Sequence, residues 1–130
     1  MYTPSRGGGN LKRICPEELP GGSGYSAFVE GRCVTFEVPG KRYRLCADTL
    51  AELARASYHF ALQLLKGKPQ CVEPLKGAEP FDGPREWVEE EGFAAATEFA
   101  VLTQSPTFAK LYGKVRRVEF DPSTGRVWTT

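Results

Sequence analysis

Apolar and polar residues alternate along the chain between residues 25 and 46, in the pattern of strands that bury one face. Two short loops, Gly31-Arg32 and Pro39-Gly40, divide this stretch into three strands. With both loops two residues long, every facing pair on one side of the sheet is apolar. These pairs are Tyr25 with Val38, Ala27 with Phe36, Val29 with Val34, Val34 with Leu45, and Phe36 with Tyr43. The sequence therefore predicts a three-stranded antiparallel meander with one buried face.

The Pro39-Gly40 loop carries a conflict, because Pro-Gly favours a type II turn whose twist suits a hairpin poorly. A longer or bulged loop is the alternative, although the alternation requires the same register in either case.

The opposite face of the meander is expected to be polar, with one aromatic side chain. An aromatic ring beside arginines can stack on a base or contact a partner. The candidate binding residues on this face are Phe28, Thr35, Arg42 and Arg44. Glu30 and Glu37 share the face and weigh against nucleic acid. An RNA-binding module is therefore kept only as an alternative.

A helix should follow the meander directly and cover its apolar face. Thr49 and Glu52 form a capping box at its start, and Gly67 marks its end. Apolar residues recur between these ends at helical spacing: Leu50, Leu53, Ala54, Phe60, Ala61, Leu64 and Leu65. His59, the only histidine, is expected on the opposite, solvated side of this helix.

Residues 67–84 contain four prolines and three glycines, which excludes a regular element and predicts a long connection. Long loops either cross the surface as packed segments or carry function. If this loop is functional, a pocket is expected between it and the helices. The candidate pocket residues are Tyr58, Trp87, Glu91 and Glu98.

Further helices are expected in the second half of the chain. Pro84 suits the first turn of a helix over residues 85–91, which Gly92 is expected to interrupt. Residues 93–103 fit either a second helical segment or one that ends as a strand, and we favour the helix. One more helical turn is expected at residues 107–112.

A hairpin is expected to close the chain. Residues 115–120 and 126–130 flank residues 121–125, Asp-Pro-Ser-Thr-Gly, a strong turn signal. Residues 11–15 are a further candidate, for an edge strand. The expected fold class is α+β: an antiparallel sheet of about five strands, the meander plus the C-terminal hairpin, packed on two or three helices.

Length and charge indicate one globular domain. We expect a flexible tail at residues 1–10 and a single domain over residues 11–130. The formal net charge of +1 supplies no general attraction to nucleic acid or anionic membranes, and no run of about 20 apolar residues occurs. We therefore expect a soluble cytoplasmic protein without a membrane partner, and we disfavour nucleic acid as a partner. Scarce amides and abundant Glu and Arg are a bias typical of thermophiles.

The four cysteines are expected to be free and mostly buried. None belongs to a C-x-x-C pair, so neither a metal site nor a dithiol motif is predicted. The meander register places Cys33 nearly opposite Cys46 on the polar face, which leaves a redox role open. No cofactor or metal is expected.

The local signatures of nucleotide binding, metalloprotease activity and serine hydrolase activity are missing. The leading hypothesis is a non-catalytic binding or assembly module that forms a homo-oligomer, with any other protein partner undetermined. The first alternative is an enzyme or small-molecule binder with its pocket under residues 67–84.

Overall fold

A computed structural model describes residues 13–74 and 89–130, with residues 89–91 described by their backbone alone. Its described strands form one antiparallel sheet of six strands in the order β1-β4-β3-β2-β5-β6. The strands are β1 (Glu17–Pro20), β2 (Tyr25–Glu30), β3 (Cys33–Val38), β4 (Lys41–Cys46), β5 (Arg117–Asp121) and β6 (Arg126–Thr129). The helices are α1 (Leu50–Leu65), α2 (Glu89–Leu102) and α3 (Pro106–Tyr112). The α+β class is confirmed, with one strand more than expected.

The meander has the register that the alternation predicts. Ala27 pairs with Phe36 on β2 and β3, and Phe36 pairs with Tyr43 on β4. The loop at Pro39-Gly40 is two residues long, because Val38 pairs directly with Lys41. Gly40 adopts a positive φ of 87°, which glycine accepts without strain. The longer or bulged loop is therefore not formed.

The added edge strand is β1, at residues 17–20. Of the candidate edge strand at residues 11–15, residues 11 and 12 lie outside the described residues, and residues 13–15 form no named strand. Ile14 instead makes an isolated bridge to Val72. The connection from β1 to β2 passes over the β3–β4 turn, where Gly40 N donates to Gly22 O. A Cβ on Gly22 would meet the carbonyl oxygen of Lys41 and lie 2.6 Å from that of Val38. Only glycine fits this crossing.

Helix α1 begins as the capping box predicts. The Thr49 side chain accepts a hydrogen bond from Glu52 N at 3.1 Å. Its apolar side packs on the sheet, where the rings of Phe36 and Phe60 make an edge contact with centroids 5.2 Å apart. The expected covering of the meander's apolar face is confirmed.

Helix α2 runs through Gly92 without interruption, so the predicted break there is wrong. Gly92 is buried, and a glycine lets neighbouring elements approach closely without ending the helix. The helical interpretation of residues 93–102 is confirmed, as is a short helix α3 after Pro106. Phe93 stacks on Phe120 of β5 with centroids 5.5 Å apart. Both long helices therefore cover the same face of the sheet.

The closing hairpin joins the sheet through β5, which pairs with β2. Its turn is held by Asp121, whose carboxylate accepts from Ser123 N at 2.9 Å and from Ser123 Oγ at 2.7 Å. Hydrogen bonds from Ser123, with smaller contributions from Thr124, lower the pKa of Asp121. No helix in the described ranges is long and apolar enough to cross a membrane.

Candidate functional site

The four binding candidates from the sequence lie together on the sheet face opposite the helices, which we call the outer face. Phe28 pairs with Thr35, and Thr35 pairs with Arg44, so these three side chains form one row across β2, β3 and β4. Arg42 lies in the next row, opposite Glu37. The same strand alternation that buries Phe36 turns these residues outward.

The outer face continues from the meander onto the C-terminal hairpin. Arg117 pairs with Phe28 and so extends the row of that aromatic ring. Trp128 on β6 is 44% exposed and carries the guanidinium of Arg126 above its ring at 5.2 Å. Alternation within residues 126–130 could have placed Trp128 on the same strand face as Arg126, but its position beside Phe28 depends on the pairing of β5 with β2.

Positive and negative charges are interspersed on this face. The described strands place four arginines on it: Arg42, Arg44, Arg117 and Arg126. They place five carboxylates there: Glu17, Glu30, Glu37, Glu119 and Asp121. One close pair is Arg117 with Glu119, whose side chains lie 3.4 Å apart and are about half exposed. The outer face is therefore charged without a dominant sign.

The four cysteines form two disulfides, which corrects the expectation of free, buried thiols. Cys33 bonds Cys46, its partner across β3 and β4, and Cys15 bonds Cys71. Cys15 and Cys46 are exposed, and Cys33 and Cys71 are partly exposed. The register did place Cys33 opposite Cys46, but nothing in the sequence indicated the Cys15–Cys71 pair, since four cysteines allow three pairings.

A cleft of about 410 Å³ lies at one corner of the sheet and reaches both disulfides. Cys15 and Cys46 each line it, so one cysteine of each disulfide borders the same space. The charged lining residues are Arg13, Glu17, Arg44 and Asp48. Two cations and two carboxylates thus lie around two exposed cysteines.

The pocket candidates divide between described and undescribed residues. Trp87 and the Glu91 side chain lie outside the described residues. Glu98 is buried on α2, where both of its carboxylate oxygens accept from Arg55 Nη1, at 2.9 and 3.1 Å. The Arg55 guanidinium also lies over the Tyr58 ring, 4.9 Å from its centre. Arg55 thereby brings Tyr58 and Glu98 into one cluster between α1 and α2.

This cluster has the geometry of a buried ion pair. The side chains of Arg55 and Glu98 are 17% and 8% exposed, and the carboxylate is held at both oxygens. This charge-assisted contact, in which one guanidinium nitrogen donates to both carboxylate oxygens, joins α1 to α2. No local pattern predicts this pair, because the two residues are 43 positions apart.

His59 is half-buried, so its expected placement on a solvated surface is wrong. Burial lowers the pKa of His59, and the nearby positive charge of Arg55 lowers it further. Its Nε2 has no hydrogen-bond partner within the described ranges. His59 lines a cleft of about 340 Å³ together with Gln63 and residues 70–73.

A larger groove of about 760 Å³ lies where α1 begins. Leu50, Leu102 and Phe108 supply its apolar lining, and Arg32 and Lys114 lie at the same groove. Within residues 13–74 and 89–130, no three or more His, Cys, Asp or Glu side chains converge in a way that could hold a metal ion.

Comparison with known proteins gave no match to a family model, to a curated protein or to a solved structure.

Proposed function

We propose that this protein is a non-catalytic binding module that self-associates through the outer face of its sheet, with the contact centred on Phe28 and the sheet corner at Cys46 left open to solvent. The observation that supports this most directly is the contrast between the two faces: helices cover one, and no described element covers the other. Phe28 lies in the middle strands of that open face and is 36% exposed. An aromatic residue surrounded by polar residues is typical of a protein interface.

The size of the outer face is compatible with a stable contact. Six strands about 4.8 Å apart span about 24 Å, and strands of six residues extend about 20 Å. A standard interface buries about 800 Å² on each partner. Multiplying the two lengths gives a flat area of about 480 Å² for the outer face, without the extra surface that side chains add. This area is within a factor of two of the standard value of about 800 Å² per partner.

The mixed charge of the face favours a second copy of the chain over a strongly charged partner. A surface with four arginines and five carboxylates can pair each sign with the opposite sign on an identical surface. A polyanion such as RNA would meet the carboxylates as well as the arginines, so the RNA alternative receives no support from this balance.

The test is the solution mass by light scattering, measured against concentration at low and high salt. We expect a dimer or larger oligomer for the unmodified chain. Phe28→Glu should dissociate it by burying a charge in the contact. Leu111→Glu is the matched control, because Leu111 is an equally apolar side chain, 69% exposed, on α3 rather than on the sheet.

Two results would overturn the proposal. The first is a monomeric wild-type chain at every concentration. The second is dissociation by Leu111→Glu with Phe28→Glu still associated, which would place the contact elsewhere. Far-UV circular dichroism and thermal unfolding of both variants establish that each remains folded.

A small-molecule site under residues 67–84 is the second candidate function. It is favoured by the cleft beside His59, because residues 70–73, from the first part of that loop, form part of its lining. Chemical-shift mapping with a fragment library tests it. We expect the chemical-shift changes to cluster at His59 and Gln63. The small-molecule site would be contradicted if the changes at these two residues were no larger than the change at Leu111.

The cytoplasmic location and thermophilic origin inferred from the sequence stay predictions. Disulfides are rare in the cytosol of mesophiles but occur inside hyperthermophiles, so the two disulfides and both predictions are mutually compatible.

A further inference from the structure

The Cys33–Cys46 disulfide combines accessibility with a neighbouring cation. It joins the end of β4 to the start of β3 on the outer face, and Cys46 is exposed where it lines the 410 Å³ cleft. Cys33 does not line that cleft, and its Sγ lies 3.7 Å from Arg44 Nη2, which donates to it. The two cysteines therefore have different surroundings: Cys46 borders the cleft, whereas the Sγ of Cys33 accepts from the guanidinium of Arg44.

These surroundings match the two roles that thiol–disulfide exchange requires. An attacking thiolate needs access to one sulfur, and the other sulfur must leave as a thiolate. A positive charge beside the leaving sulfur stabilises that thiolate and speeds its departure. Cys46 is placed for attack, and Cys33, beside Arg44, is placed to leave.

We propose that Cys33–Cys46 is an exchange-active disulfide that a small zwitterionic thiol reduces by attacking Cys46 Sγ from the cleft. In the first step a bond forms between the external sulfur and Cys46 Sγ, and Cys33 leaves as a thiolate beside Arg44. In the second step another external thiolate attacks the sulfur of the bound thiol, and Cys46 leaves as a thiolate. The thiol is oxidised to its disulfide, and the protein gains two thiols after protonation.

The cleft indicates the class of thiol. Arg13 and Arg44 can each bind a carboxylate, while Glu17 and Asp48 can bind an ammonium group. A peptide thiol that carries both charges, as glutathione does, matches this lining better than a neutral thiol. Asp48 also takes part in the fold, because its backbone oxygen accepts a hydrogen bond from Arg32 Nη1.

The fold holds the two thiols together after reduction. Strands β3 and β4 pair along six residue pairs, and Arg32 O accepts from Ala47 N at 3.1 Å just beyond the cysteines. Reduction therefore leaves Cys33 and Cys46 facing each other, ready to form the bond again. Cys15 and Cys71 lie outside the named strands, next to the isolated bridge of Ile14 and Val72, so we assign their bond the structural role.

The experiment exposes the oxidised protein to reduced glutathione. Samples taken over time are quenched with acid and alkylated, and peptide mass spectrometry then reports each cysteine. We expect Cys33–Cys46 to open about tenfold faster than Cys15–Cys71, with the transient glutathione adduct on Cys46. An adduct mainly on Cys33 or Cys15, or equal rates for the two disulfides, would overturn the proposal.

Variants separate the role of Arg44 from general charge. Arg44→Gln should slow the opening of Cys33–Cys46 about three- to tenfold, because the leaving thiolate loses its cation. Lys41→Gln is the control: it removes a cation from the same strand, and Lys41 does not line the cleft. We expect a rate within about twofold of wild type for this control. Equal slowing by both substitutions would reject the specific contact with Cys33.

The thiol class is tested with Arg13→Gln. This substitution should slow reduction by glutathione and leave reduction by neutral 2-mercaptoethanol unchanged. Equal effects on the two reagents, or no effect on either, would show that the cleft does not select a zwitterionic thiol.

Discussion

The two faces of this sheet are built from the same strands, yet they differ in what each side chain contributes. On β3, Phe36 points inward, is fully buried and contacts the rings of Phe60 and Phe93. Its neighbour Thr35 points outward and remains partly exposed. The inner face is held by burial and close packing, while the outer face displays charge and one aromatic row. We therefore expect stability to depend on the first and association on the second.

The largest expected effect comes from truncating the inner face. Phe36→Ala should lower the free energy of unfolding by about 3–5 kcal/mol, because a large buried ring is replaced by a cavity. Thr35→Ala, one residue away on the outer face, should cost about 0.5 kcal/mol or less. Chemical denaturation of both variants measures the difference. Similar losses at the two positions would contradict the division between the faces.

The two ion pairs provide a second contrast. Glu98→Ala should cost about 3 kcal/mol, since it leaves the guanidinium of Arg55 without its buried partner. Glu119→Ala, which breaks the exposed pair with Arg117, should cost about 0–1 kcal/mol. Urea unfolding at low and high salt tests both. A Glu98→Ala loss as small as that of Glu119→Ala would show that the buried pair adds no stability.

The Cys33–Cys46 disulfide lies on the outer face, yet we expect it to affect stability rather than association. Replacing both Cys33 and Cys46 by Ser should cost about 2–3 kcal/mol, because the cross-link restricts the unfolded chain. That loss concerns the unfolded state, so the mass of the oligomer should be unchanged if the outer face mediates association. Calorimetry and light scattering on the same sample separate the two effects. Dissociation of this variant while it remains folded would show that the disulfide shapes the interface.

The smallest effect is the pH dependence of stability due to His59. Burial holds the folded pKa of His59 below its ordinary value of 6.5, so the unfolded chain binds the proton more readily than the folded protein. Stability should therefore be complete above about pH 6.5 and decline as the pH falls below it. His59→Gln should flatten this decline, as measured by urea midpoints between about pH 7.5 and 5. A decline of equal size in the variant would assign it to other groups.

Sequence reasoning succeeded where side chains repeat with the period of one element. Alternation located the meander register, because a slip of one residue would have exposed Phe36 and buried Thr35. It failed where contacts join distant segments. Arg55 and Glu98 meet only through the packing of two helices, and Cys15 finds Cys71 across 56 residues.

Two local errors have equally physical causes. Strand β1 has no alternating pattern in its sequence Glu-Glu-Leu-Pro, so its pairing with β4 could not be recognised. Gly92 was expected to break a helix, but its buried position among packed residues outweighs the low helical propensity of glycine. Of the candidate site, alternation predicted Phe28, Thr35, Arg42 and Arg44 as neighbours, whereas Trp128 depended on the pairing of β5 with β2.

The two edges of the sheet are unequal, and this limits how copies could join side by side. The β1 edge ends in Pro20, which has no N–H to offer, and its Glu18 forms an ion pair with Lys41. The β6 edge has neither feature in its sequence Arg-Val-Trp-Thr. Addition of another strand is thus disfavoured at the β1 edge. Two copies that pair through their β6 edges would therefore form a dimer that adds no further copies. The sheet therefore carries its own barrier against fibre formation.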